Sequence, residues 1–257
     1  MLEDIAFGGN PGHWPMPLAM TPHDLWLRAV AAGGQGRYAS ALTDLDTLCR
    51  PAGRGAYASL ALSTRASFLR QLGWHDRARS LDGQALARAD GAATPAADAL
   101  IGLAADALGV GRFAASARAL RRAADLIDES TASRLPVRLA WVSAELAMVS
   151  GDGAAAVDHA ERGLRLAASL TSARHTVKSR VVLAAARCSS GDIESSRREA
   201  DRALREAGSF GLVPLRWAVS CLLADIGSDD HSHAEVTTIR DESAQTVIRR
   251  GGVWRSW

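Results

Sequence analysis

The chain has 257 residues, 47% of them apolar and only 5% aromatic, with 30 basic side chains against 28 acidic ones for a net charge of +2. That length holds one large domain or two small ones. So small a net charge argues against partners held by bulk electrostatics, namely nucleic acid or a membrane surface.

Residues 1–21 contain the Gly- and Pro-rich run GGNPGHWPMP and are expected to be irregular. The opening MLEDIAFGGN is acidic and has no apolar core of the kind that makes a signal peptide. No apolar run reaches the ~18 residues of a membrane span. Cys49, Cys188 and Cys221 are far apart and make no metal or redox spacing, as in small hydrophobes of a reducing compartment. These features together predict a cytoplasmic protein.

From residue 22 to residue 250 a period takes over. Gly36, Gly73, Gly111, Gly151 and Gly191 are spaced by 37, 38, 40 and 40 residues. Seven residues before each stands an alanine: Ala29, Ala66, Ala104, Ala144 and Ala184. Five residues after each stands a small residue: Ala41, Ala78, Ser116, Ala156 and Ser196. A third set follows seven residues further on, Leu48, Ala85, Ala123, Gly163 and Ala203, which is small except at Leu48. Seven residues is two helical turns, so the last two sets share a helix face. The unit is therefore a helical hairpin. A first helix ends at a glycine able to take positive φ, and a second returns antiparallel with small residues at the crossing.

In chain order the first helices are expected near 22–34, 56–72, 95–109, 133–150, 173–190 and 213–226. The second helices are expected near 37–50, 75–89, 112–129, 153–170, 193–208 and 232–250. Thr21 and Asp24 around Pro22 form a start signal, TPAAD from Thr94 opens the third unit similarly, and Asp152 and Asp192 stand at N-cap positions. The sixth unit is degenerate, because Ala234 falls two residues late for the period, and residues 251–257 form a non-periodic tail.

These positions resemble the tetratricopeptide repeat, with its small residues, its glycine and an aromatic two residues after it, here Tyr38 and Phe113. The family position is not aromatic at His75, Gly153 and Ile193. The period of 37–40 residues exceeds the ~34 of that family and resembles the divergent repeats in sensor portions of large bacterial transcription activators. HEAT-type hairpins have similar periods, but the small-residue and glycine positions match the tetratricopeptide pattern. The resemblance implies an all-α right-handed superhelix of about six antiparallel hairpins in one continuous domain. It further implies that the first helices line a concave face. That register puts Trp26, Trp141 and Trp217 at one equivalent position and gives the partner-binding set Trp26, Arg70, Arg138, Trp141, Glu145 and Lys178. His23, Asp98 and Met148 fall on the same face. Trp and Arg are frequent anchors at protein interfaces.

Two motifs compete with that reading. GVGRFA from Gly109 has the spacing of a dinucleotide fingerprint, yet GQGRYA from Gly34 repeats it in step with the period, and neither follows a strand. DDHSH, Asp229 to His233, has H-x-H metal spacing but reads better as a polar turn capping the last helix. No P-loop, nucleophile elbow or zinc-protease motif occurs. The expectation is a protein without cofactor or catalysis, binding a protein or peptide segment, and no nucleic acid or membrane. The alternative is a regulatory sensor whose groove takes a small ligand or signalling peptide. Trp14, Trp254 and Trp257 lie outside the repeats. Large apolar side chains there predict that one end packs into the groove or against a second subunit as a homodimer.

Overall fold

The computed structural model describes residues 1–49, 55–128 and 133–255, and among these it is helical with no strand. A short α1 (Leu2–Phe7) precedes six hairpins: α2 (Pro22–Gly34) with α3 (Tyr38–Leu48), α4 (Ala56–Gln71) with α5 (His75–Arg88), and α6 (Ala93–Gly109) with α7 (Phe113–Ala124). The other three are α8 (Arg134–Val149) with α9 (Gly153–Ala168), α10 (Ala173–Ser189) with α11 (Ile193–Ser209), and α12 (Val213–Ile226) with α13 (His233–Arg249). Each helix packs on its neighbour in sequence, and each first helix also touches the first helix of the next hairpin. This is compatible with a stack of helical repeats. No described helix is long and apolar enough to cross a membrane.

The repeat signature has a direct physical counterpart. Gly36, Gly73, Gly111, Gly151 and Gly191 all take φ between 72° and 89°. There the amide of the following residue reaches back to a carbonyl five residues earlier, as from Arg37 to Ala32 and from Arg112 to Ala107, both 2.8 Å. This Schellman closure satisfies carbonyls that the helix end would leave orphaned. The alanines seven before these glycines and the small residues five after them are all completely buried. In the fifth hairpin Ser196 Oγ donates to the Ala184 carbonyl at 2.7 Å, so the two sets meet directly across the crossing. Larger side chains would push the helices apart, and overpacking of this kind costs about 1–3 kcal/mol.

Of the four predicted start signals, three are caps and one is not. Thr21 and Asp24 form a reciprocal capping box around Pro22. Asp152 and Asp192 accept from the amides of Ala155 and Ser195. Thr94, however, lies inside α6, which begins at Ala93 without a side-chain cap. Pro95 is tolerated there because first-turn amides have no intrahelical partner.

Two further sequence expectations are corrected. Residues 1–21 are not wholly irregular, because Leu2, Ile5 and Ala6 are buried against Trp26, Leu27 and Val30 of α2, and this apolar contact holds α1 as a helix. The aromatic position of the repeat is not uniformly core: Phe113 is 41% exposed, whereas the equivalent Tyr38 is 2% exposed. Tyr38 is covered by Phe68 in edge-to-face contact and by Gly252 of the tail, and Phe113 has no such neighbours. The DDHSH turn caps the last helix as expected: Ser232 and Glu235 form a capping box on α13, and Arg205 pairs with Asp230.

The first and last hairpins meet. The Ala39 amide donates to the Arg250 carbonyl at 3.0 Å, Arg250 Nη1 donates to the Gln35 carbonyl at 2.7 Å, and Val247 joins the Tyr38–Phe68 core. The tail continues over α4 and α5, where the Arg255 amide reaches the Leu72 carbonyl at 2.9 Å and Trp74 Nε1 donates to the Val253 carbonyl at 2.8 Å. The N-terminal segment bridges the same closure. The Ala173 amide donates to the Gly8 carbonyl at 3.1 Å, Gly12 sits against the Phe210 carbonyl, and Gln35 Nε2 donates to the Pro11 and His13 carbonyls at 2.8 and 3.0 Å. Residues 2–13 and 251–255 are thus packed on the chain's own repeats, while Trp257 lies outside the described residues.

Candidate ligand cavity

The hairpins border a half-open cavity of about 700 Å³ lined by all six first helices, by Phe7 of α1 and by His75 of α5. Trp26, Arg70, Arg138, Trp141, Glu145 and Lys178 all line it, as do Asp98, Met148 and Trp217. His23 does not; it lies outside, 3.4 Å from Glu3.

The tryptophans are walls. Trp26 Nε1 donates to Thr64 Oγ1 at 3.1 Å, and Trp141 Nε1 donates to Ser179 Oγ at 2.8 Å, each acceptor lying 38 residues further along the chain. The same contact therefore ties neighbouring first helices at two places in the stack. Trp217 instead packs against Trp254 of the tail, with ring centroids 4.2 Å apart and the rings tilted by 37°. His175 stacks on Trp141 at 5.4 Å and shares a hydrogen bond with Ser172 through Nδ1 at 2.7 Å. Burial and the nearby arginines hold its imidazole well below the usual pKa, so it is neutral at pH 7.

Arg70 is committed within the protein. Its Nη1 donates to Asp82 and to Asp106 Oδ1, the latter at 2.9 Å, while Ser63 Oγ donates to Asp82 Oδ1 at 2.8 Å. Gly102 makes this possible, because a Cβ there would stand 2.2 Å from Asp82 Oδ2. Both aspartates are fully buried, and Asp106 Oδ2 has no hydrogen-bond partner. Burial foremost, then the Asp82 charge, outweighs Arg70 and raises the Asp106 carboxyl to about 7. The native state therefore keeps a proton that the unfolded chain releases near the ordinary value of 3.8. The stability it contributes is complete below that value and is lost as pH rises through about 7. Between those limits one proton gives a fall of up to about 1.4 kcal/mol per pH unit. Urea unfolding at pH 5, 6, 7 and 8 should show this decline, and Asp106→Asn should flatten it. An unchanged profile in that variant would place the titration elsewhere.

At the other end stand three guanidinium groups, two of which share one carboxylate. Arg134 binds Asp98 bidentately at 3.0 and 2.7 Å, and Arg138 pairs with the same Asp98. Arg174 has no ion pair or hydrogen bond among the described residues, and its Nε is buried without a partner. Arg134 and Arg174 both lie over the Phe7 ring, at 5.8 and 5.7 Å from its centroid. Burial first, and then the charge of Arg134, push the Arg174 guanidinium down to about 10, still charged at neutral pH. Lys178 lies 3.7 Å from Glu145.

Arg134 and Arg174 were legible by periodicity, since each stands four residues before a residue already assigned to the face, Arg138 and Lys178. Phe7 carried no such signal because it lies outside the repeats. Among the described residues no three His, Cys, Asp or Glu side chains converge as for a metal. No protein-family model matches this chain, and no curated protein matches its sequence.

Proposed function

We infer that this chain is a tetratricopeptide-like right-handed superhelix of six hairpins that binds a small molecule or short peptide in its central cavity, as a sensor without catalysis of its own. One observation carries the reading: a cavity of about 700 Å³ bounded by every first helix and by α1. That volume is in the usual range for small-ligand pockets, and apolar walls with a few polar groups are their usual lining. The scaffold reading, a segment of another protein lying along an open groove, is less well supported. It would require α1 and residues 8–16 to leave the closure they now bridge.

A sensor shows ligand-dependent thermal stabilisation. The test is a thermal-shift screen of the full chain against neutral, anionic and cationic metabolites and short peptides, paired with affinity capture from cell extract. At a ligand concentration of 100 Kd the stabilisation is about 2.7 kcal/mol. Specific capture of one large protein with no response to any small probe would overturn the sensor reading in favour of the scaffold.

A further inference from the structure

We propose that the cavity takes its ligand through an oxyanion, a carboxylate or phosphate, received by Arg174. This rests on the cavity being a ligand site. Every other cation facing the cavity has a carboxylate: Arg70 has two, Lys178 has Glu145, and Arg134 and Arg138 share Asp98. Arg174 has none, so three guanidinium groups stand against one carboxylate.

Arg174 is half-buried, with its Nε fully buried and unpartnered, and a desolvated charge without a partner is costly. Phe7 lies over Arg174 and supplies only its ring face. The guanidinium is a planar fork of five donors suited to two oxygens of one acid group. Its Cδ rests against Gly34, where an added Cβ would stand 3.0 Å away, so the stem is held from α10 toward α2. Lys178 stands one turn along the same helix on the cavity side but is already paired with Glu145, so Arg174 is the cation left to receive the acid group. The occupant is thus a compact ligand with at least one acid group. Its remainder meets Trp26, Trp141 and Trp217 as apolar walls rather than as free stacking faces.

The test uses the full chain. It is titrated with sodium phosphate and with disodium glutarate at constant ionic strength set by chloride, following the thermal midpoint and tryptophan fluorescence. Neutral dipeptide amides serve as a third probe. The expected result is saturable binding of phosphate or glutarate that weakens at least tenfold in Arg174→Gln and stays within twofold in Arg122→Gln on the outer surface. Phosphate alone responding identifies a phosphorylated ligand, and glutarate alone identifies a carboxylic one. Arg174→Gln without probe should melt at or above the parent temperature, since it removes an unpaired charge. A lower melting temperature assigns Arg174 a structural role and overturns the proposal. So does anion binding that survives the substitution. Binding of neutral probes with none for either anion overturns the oxyanion and leaves the cavity reading standing. Failure of all three probes overturns the oxyanion, and the wider screen then decides the cavity reading.

Discussion

Arg70→Met is expected to lower the unfolding free energy by about 3–5 kcal/mol at pH 7, the largest effect of any single substitution considered for this chain. The substitution keeps the aliphatic stem and removes the one cation between Asp82 and Asp106, both fully buried. Two buried carboxylates then face each other without the cation that stood between them, and repulsion adds to the cost of desolvation. The loss should be smaller at pH 5 than at pH 8, because protonation relieves it. In an Asp82→Asn, Asp106→Asn background the same substitution should cost under about 1 kcal/mol, since no uncompensated charge is then exposed by it. Equilibrium denaturation of the four proteins checks this as a cycle. A cost for Arg70→Met that is the same in both backgrounds would mean that Arg70 acts by packing alone.

Ending the chain at Gly252 is expected to cost about 3 kcal/mol, although the segment removed contains no helix. It takes away the hydrogen bond from Trp74 Nε1 to the Val253 carbonyl and that from the Arg255 amide to the Leu72 carbonyl. Each is worth about 0.5–1.5 kcal/mol. It also removes the Trp217–Trp254 contact, and an aromatic pair of this kind contributes roughly 0.5–1.5 kcal/mol beyond its burial. Trp217 would then face water, so tryptophan emission should shift to the red while helical circular dichroism stays nearly constant. A stability within about 0.5 kcal/mol of the parent would show that the tail rests on the repeats without holding them.

The hairpins themselves were legible because their signals are local. A glycine that must take positive φ, an alanine that must fit a crossing and an acid that caps an amide each act within a few residues of their own position. Ala29, Gly36 and Ala41 mark one crossing without reference to anything distant. The departures have the opposite character. Phe113 and Tyr38 occupy the same repeat position, yet only Tyr38 is buried, because Phe68 and Gly252 happen to cover it. The helix of residues 2–7 is too short to be stable alone and is held by contact with α2.

The candidate cavity divides in the same way. Its face was readable once the register was laid on the repeat it resembles, so Trp26, Arg70, Arg138, Trp141, Glu145 and Lys178 come together there, while His23 does not. Their separate circumstances were not readable. Arg70 stands between two aspartates brought from α5 and α6, while Arg174 stands with none. The sequence by itself determined the helical hairpin, its repetition and the side of each first helix that faces inward, because these follow from a 3.6-residue turn and from steric size. Only the tertiary structure decided that the first hairpin meets the last, that both ends of the chain bridge the closure, and which cation is left without a counter-charge. Those outcomes depend on pairs far apart in sequence, Gln35 with Arg250 and Gly8 with Ala173. Small rotations summed over six hairpins decide whether such pairs meet, and no local pattern records that sum.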